Sequence, residues 1–426
     1  MRSLRVHTPL YLPLPQILSV LQFRTFGENL LPNLKYLSLH PTKDSLPFIP
    51  LLLSPTTTTI DLAFGEVRLH TTAVTSMVTT LPIRCPNLQR INLYSLPRDP
   101  TITTAISELL ITTNRDVLQS VCVDSPLTED AREMIHKHHN LRELRAVINE
   151  ADSLPTLVLP NLVEMDIERY HDCGWLQGFR GATLGKLASV TFRSESHSIG
   201  SFLEAFESIA LTTSIPATLS KFELIAQCSW RPSYRSLLPF TQLKELTIYF
   251  YCGPDCPSTI DDDTITDLAQ AMPMLEILHL GDRPCNTLAG VTVVGLAALA
   301  HYCLHLFDLR IHFQVASFHP SRVPMLISGS GSTILRRDCA LRFLEVGEIR
   351  MPKKATLMVA LTLLRIFPRL NHIQWYDDER WDEINDALVF SEQFADWSSK
   401  GYSFATIPRS DVYDTSPGTA LGNVVQ

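Results

Sequence analysis

Leu34-Lys35-Tyr36-Leu37-Ser38-Leu39, introduced by Pro32-Asn33, and Leu88-Gln89-Arg90-Ile91-Asn92-Leu93, introduced by Cys85-Pro86-Asn87, are two copies of one phrase. Leu141 to Ala146 after His139-Asn140, and Leu162 to Ile167 after Pro160-Asn161, are two more. Weaker copies begin at Leu118, Leu187, Leu219, Leu243, Leu275, Leu306, Leu341 and Leu370, and the poorest at Met1 and Thr57. In an extended segment alternate residues face one side, so the fourth and sixth residues of the phrase point one way and the third and fifth the other. The first apolar residue packs where the chain bends into the strand. One copy cannot bury its apolar face. Copies laid side by side form a continuous parallel sheet with the intervening residues packed behind it.

The phrase recurs about every 28 residues, within the leucine-rich-repeat range. The expected class is α/β: a leucine-rich-repeat solenoid of the ribonuclease-inhibitor-like kind, with a parallel sheet on the concave face and helices outside. The uneven spacing, roughly 21 to 35 residues, reads as helices and loops of varying length on the convex side. Helical periodicity predicts helices over 102–111, 128–138, 199–211, 264–272, 291–302 and 355–367. The solenoid is expected over 1–379, followed by a capping helix within 380–400. From Phe404 onward Ser, Thr, Pro and Gly replace the periodic pattern, so 401–426 is expected to be a disordered tail. Residues 1–40 open inside a strand phrase with no amphipathic segment before it, whereas a solenoid needs a terminal cap. The expectation is that a full-length relative carries more sequence at this end.

With 45% hydrophobic and 19% charged residues the chain can bury a large core. A net charge of −8 without any run of Lys or Arg argues against a nucleic-acid phosphate surface. Nine cysteines are scattered without paired spacing, several just before strands, and no Asn-x-Ser/Thr sequon occurs. Free buried thiols fit a reducing compartment, so cytoplasm or nucleus is expected. Leu10 to Leu21 is apolar but interrupted by Pro13 and Pro15 and lacks a cleavage site. Leu288 to Phe307 is uncharged and long enough to span a bilayer, yet it fits the slot of a buried repeat helix. No membrane association is expected.

The C-terminal half is more distinctive than a generic repeat. Asp261 to Asp282 (DDDTITDLAQAMPMLEILHLGD) runs into Gly290 to His301 (GVTVVGLAALAH) and continues through Leu309 to Ser317, Leu344 to Glu348 and Leu357 to Pro368. Over about residues 190–400 this resembles the F-box/leucine-rich-repeat proteins of mushroom-forming fungi. The resemblance implies the substrate receptor of a cullin–RING ubiquitin ligase, in which an F-box docks the Skp adaptor and the repeats hold the target. The F-box phrase itself is not matched: the nearest text, Leu12 to Leu18, lacks the acidic residue. A Skp adaptor is therefore an expected partner only if an F-box exists upstream. The alternative is a stand-alone repeat scaffold with no ubiquitin role.

Candidate chemistry is thin, and neither an enzyme nor a cofactor is expected. Cys252 and Cys256 have a zinc-like gap but no second ligand pair nearby, which favours a turn. His136, His138 and His139 end a helix and suit a C-terminal cap. His301, Cys303 and His305 span a helix end, where core and cap roles suffice. Asp261-Asp262-Asp263 precede a helix expected to start near Thr264, with Thr264 and Asp267 spaced as a capping box. Gly329 and Gly331 lie in a Gly-Ser connector without a phosphate-loop Lys, and Cys173-Gly174-Trp175 has no His/Asn context of a thiol protease.

The remaining candidate is the concave face itself, where outward strand residues line up from repeat to repeat. Aromatic and Arg side chains dominate recognition surfaces. Tyr249, Arg310, His312, Phe343 and Tyr376, near the C-terminal end, are the expected protein-binding residues.

Overall fold

In a computed structural model the described residues are 2–6, 30–43, 45–65, 71–148, 158–169, 182–198, 217–227, 234–251, 260–281, 290–313, 339–346, 356–374, 381–382, 384–386 and 388. They contain one sheet of fourteen strands in sequence order, every neighbouring pair parallel. The strands are β1 (Ser3–Val6), β2 (Tyr36–Leu39), β3 (Thr59–Ala63), β4 (Arg90–Tyr94), β5 (Ser120–Pro126), β6 (Glu143–Ile148) and β7 (Glu164–Arg169). They continue as β8 (Ser189–Ser198), β9 (Lys221–Gln227), β10 (Glu245–Tyr251), β11 (Ile277–Leu280), β12 (Asp308–Ile311), β13 (Phe343–Glu345) and β14 (His372–Gln374). Each falls on one of the repeat phrases, the two poorest included.

The register follows from the phrase. Its fourth residues form one unbroken row: Leu4, Leu37, Ile60, Ile91, Val121, Leu144 and Met165 pair in turn and continue through Val190, Phe222, Leu246, Leu278, Leu309, Leu344 and Ile373. From Leu37 onward every member is buried. The strand starts are joined by a repeated backbone device. The carbonyl of the residue after the first apolar position accepts from two successive N–H groups of the next repeat. Gln89 O, for example, receives Gln119 N and Ser120 N at 2.8 and 3.0 Å, and Lys244 O receives Glu276 N and Ile277 N at 2.8 and 3.0 Å.

The Asn of the introducing phrase has its own task. Asn87 donates to Pro55 O (3.1 Å), Asn140 to Asp116 O (2.6 Å) and Asn161 to His139 O (2.9 Å). In each case the acceptor lies two residues before the previous repeat's first apolar residue. Thr56 occupies the Asn position in its repeat, and its hydroxyl donates to Pro32 O at 2.8 Å. The side chain thus satisfies a turn carbonyl that has no strand partner.

Helices lie behind the sheet at Thr71–Arg84, Pro100–Thr112, Glu129–Ile135, Asp262–Ala271, Val293–Tyr302 and Thr356–Ile366. The last five lie where periodicity predicts them; the expected helix 199–211 lies outside the described residues. The first was not expected, although Val74, Met77, Val78 and Leu81 form its buried stripe. Among the described residues no helix is long and apolar enough to cross a membrane, and the Val293–Tyr302 segment is a ten-residue helix with most of its residues buried.

Two sequence expectations need correction here. The Asp262–Ala271 helix starts earlier than Thr264, and its cap is Asp261, whose carboxylate accepts from Thr264 N (2.9 Å) and Thr264 Oγ1 (2.6 Å). Thr264 is therefore the receiver of the cap and not its provider. Of the histidines expected to cap the Glu129–Ile135 helix, His136 stands at the C-cap position, whereas His138 is buried in the slot that Cys85, Met272 and Cys303 fill in other repeats.

Beyond β14, Trp381, Ile384 and Leu388 are helical and buried, with Trp381 edge-on to Phe313 at 6.3 Å. Asn385 Oδ1 accepts from Ile373 N and its Nδ2 donates to Ile373 O, both at 2.8 Å. A side-chain amide thereby imitates a further strand and closes the last edge. The remainder of the expected 380–400 cap, the apolar stretch 10–21 and the tail 401–426 lie outside the described residues.

Candidate functional site

Among the described residues the sheet has one face packed under helices and one free of them. The phrase's third and fifth positions point to the helix-free face, the one expected to be concave. In β5 through β10 the strands run six to ten residues, so a third outward position follows. Its members include Glu168, Arg193, Ile225 and Tyr249, aligned in that order across β7 to β10.

Toward the C-terminal end the structure brings several expected residues together. The Arg310 guanidinium lies 5.7 Å from the centre of the Tyr249 ring, a cation–π arrangement reaching across β11. The same guanidinium pairs with the Glu345 carboxylate. Glu345, at the outward fifth position of its phrase, is only 3% exposed. The reason is its position: burial of that carboxylate is tolerable because Arg310 compensates it. Phe343 stacks on His372 at 5.3 Å and 29°, and His279 Nε2 lies 3.1 Å from Asp308 Oδ1. His312 is half-buried two residues beyond Arg310. Tyr376 lies outside the described residues, as do Cys252 and Cys256, Gly329 and Gly331, and Cys173-Gly174-Trp175.

The centre of the face holds a larger array. Arg145 Nε lies 3.4 Å from Asp124 and 3.6 Å from Asp166, and its Nη2 lies 3.9 Å from Glu168. Arg193 Nη2 reaches the same Asp166 oxygen at 3.4 Å. Arg145 also sits over Tyr94, 5.7 Å from the ring centre. The Asp166 carboxyl lies above the usual range because burial and its like-charged neighbours Glu223 and Glu168 outweigh the pull of Arg193 and Arg145. Burial likewise pushes up the Tyr94 hydroxyl, assisted by Cys122 and Asp61. Asp124 holds more than an ion pair. It accepts the backbone N–H of Ser95 at 3.0 Å, fixing a residue in the left-handed region at φ 55°.

The outward fifth position of the phrase accounts for Arg145 and Asp166 on this face, but not for Tyr94, Asp124, Glu168 and Arg193. All four lie past the sixth residue of the phrase. The available signal was the continued alternation after it, as in Asp166-Ile167-Glu168.

The remaining polar features are structural. A cavity of about 280 Å³ lined by Gln119, Asn140, Arg142 and Asn161 lies along the asparagine turns. Burial raises the Cys85 thiol to about 11 and the Cys303 thiol to about 12, so both stay protonated at neutral pH. Among the described residues no group of His, Cys, Asp or Glu is arranged to hold a metal ion.

The fold defines the class: a leucine-rich-repeat-like solenoid with an ordered polar face. No protein-family model matches the chain, and comparison with curated proteins finds no significant match.

Proposed function

We propose that this is a non-catalytic protein-binding module whose helix-free face holds a protein target. The supporting observation is the set of outward rows, prearranged by shared ion pairs and stacked rings on a sheet packed from behind. A surface already ordered before binding loses little side-chain entropy on association. The test is photo-cross-linking in cell lysate, with the reactive residue at Thr247 on the face or at Glu129 on the helix side. Protein adducts from Thr247 and not from Glu129 are expected. Adducts from Glu129 alone would overturn the assignment.

The resemblance to F-box/leucine-rich-repeat proteins supports a role as the target-holding part of a ubiquitin-ligase receptor in cytoplasm or nucleus. Recovery of a Skp adaptor with a longer chain carrying an F-box upstream tests it. A stand-alone scaffold would recover none.

A further inference from the structure

Beyond that reading, we infer a second interaction surface on the rim where the last strands begin, which takes an extended acidic peptide segment of a partner protein, anchored by a large apolar side chain. The backbone ladder builds this rim. Glu276 O receives Phe307 N at 2.9 Å, Phe307 O receives Arg342 N at 3.1 Å and Arg342 O receives Asn371 N at 3.2 Å, so the second residues of four phrases stand side by side. Met274 lies two residues before Glu276, Arg369 two before Asn371, and Tyr302 ends the helix that leads to Phe307. Phe307 is 42% exposed, Met274 38% and Tyr302 37%. In earlier repeats Asn87, Asn140 and Asn161 stand where Met274 does, and Lys35, Arg142 and Lys244 where Phe307 does. The core gains nothing from the exchange, since Leu275 and Leu306 already fill it. Of the six large apolar side chains exposed among the described residues, three fall in these two consecutive repeats. Scattered singly they would be ordinary; gathered, they mark a place that another molecule covers.

Charge selects the occupant. Arg342 and Arg369 are exposed and hold no ion pair among the described residues. The acids of the last four phrases are all engaged: Glu276 by Lys244, Asp308 by His279 and Glu345 by Arg310. The rim therefore sets unmatched positive charge beside exposed apolar side chains, and Met, aromatic and Arg residues are those enriched at protein interfaces. A peptide carrying an apolar anchor and a carboxylate complements both. Two strand spacings, about 9.6 Å, separate β12 from β14, which is the span of about three extended residues. Anchor and acid accordingly stand three positions apart in the peptide. Two guanidiniums make too short a track for a nucleic-acid backbone. A second copy of this chain, docked patch to patch about a two-fold axis, would bring the same arginines against each other.

The experiment is fluorescence anisotropy with the full chain and a labelled twelve-residue Gly/Ser peptide carrying Phe-Leu at its centre and Asp-Glu three positions to either side. Companion peptides replace each Asp-Glu by Asn-Gln, or Phe-Leu by Ser-Ser. Saturable binding of the parent peptide alone is expected, weakened about tenfold by Arg342→Gln/Arg369→Gln, since each exposed ion pair contributes modestly. Met274→Gln/Phe307→Gln should weaken it at least as much, because buried apolar anchors dominate such contacts. Ile83→Gln, which changes an exposed apolar residue on another helix, should leave it unchanged. Circular dichroism verifies that these surface variants fold. No saturable binding up to millimolar peptide, equal binding of either companion, or a double variant that binds like wild type each overturns the rim site. Tighter binding of an RNA dodecamer that the Arg variant loses, or dimerisation in sedimentation velocity that Met274→Gln/Phe307→Gln abolishes, would replace the peptide with another occupant and equally overturn it. Cross-linking from Thr247 is independent: its failure removes the reading of the helix-free face and leaves the rim standing.

Discussion

Asp262 should be worth more to this solenoid than a surface carboxylate normally is. It lies in the first turn of one helix but serves the next: its Oδ1 accepts Thr292 N at 2.7 Å and Gly295 N at 2.9 Å, and its Oδ2 accepts Thr292 Oγ1 at 2.6 Å. The first turn of the Val293–Tyr302 helix has unpaired N–H groups that need such an acceptor. Hydrogen bonds to a charged group contribute roughly 1.5–3 kcal/mol each, but three on one carboxylate overlap, so Asp262→Ala should cost about 2–4 kcal/mol. Asp262→Asn keeps one oxygen for both N–H groups and should cost about 1 kcal/mol or less. Gly295 is part of the same device, because a Cβ there would meet Asp262 Oδ1 at 2.7 Å. Gly295→Ala gains about 1 kcal/mol of helix propensity yet loses the clasp, for a net cost of about 1–2 kcal/mol. With Asp262 already Ala the same change should be nearly neutral. A double-mutant cycle by urea unfolding should therefore show coupling above about 1 kcal/mol. Since each repeat contacts only its neighbours, amide exchange should rise over residues 291–299 and stay unchanged over 88–94. Additive costs, or an Asp262→Ala protein within about 0.5 kcal/mol of wild type, would refute the clasp.

Leu278→Asp, which puts a charge into the fourth-position row, should cost roughly 3–5 kcal/mol, whereas Glu276→Ala, which loses only a partly exposed pair with Lys244, should cost at most about 1 kcal/mol. Equal melting shifts would contradict the register. His138 is buried, and desolvation holds its pKa below the ordinary 6.5 despite nearby carbonyls of Leu110 and Arg115. Its folded state resists a proton that the unfolded chain accepts. Stability from this residue is complete above pH 6.5 and is lost as pH falls from 6.5 toward the lower folded value. His138→Met, copying Met272 in its own repeat, should flatten urea midpoints between pH 7 and 5; an unchanged slope would assign that titration elsewhere. Asn385→Ala should leave Ile373 N–H and C=O open at the last edge and promote concentration-dependent self-association, read by light scattering.

The strands were legible because one constraint repeats at every copy: the fourth residue must enter the shared row, and the whole phrase is locked to it by period-two alternation. Even Thr57-Thr58-Thr59-Ile60 obeys it. Its Thr56 hydroxyl bonds Pro32 O, work done elsewhere by asparagine, and its Thr57 hydroxyl bonds Leu34 O. The helix over Thr71–Arg84 was harder to see, since five Thr residues and Pro82 dilute a stripe of only four apolar side chains. Asp262 was legible as a helix-start acid but not as a clasp, because its partners lie 30 and 33 residues away. Long-range pairing of that kind depends on how two repeats stack, which no local spacing encodes. The same limit hid the burial of Glu345, set by Arg310 one strand away.

That division also explains where recognition can vary without cost to the fold. The fourth and sixth positions pack against the helices, so their chemistry is confined to apolar residues. The third, fifth and seventh positions answer only to their neighbours on the free face. There the chain places Ser189 and Thr191 on one strand where neighbouring strands carry Glu164, Asp166 and Glu223. Such a change of side-chain chemistry from one strand to the next leaves the buried rows untouched, so the free face can differ from repeat to repeat while the sheet stays the same.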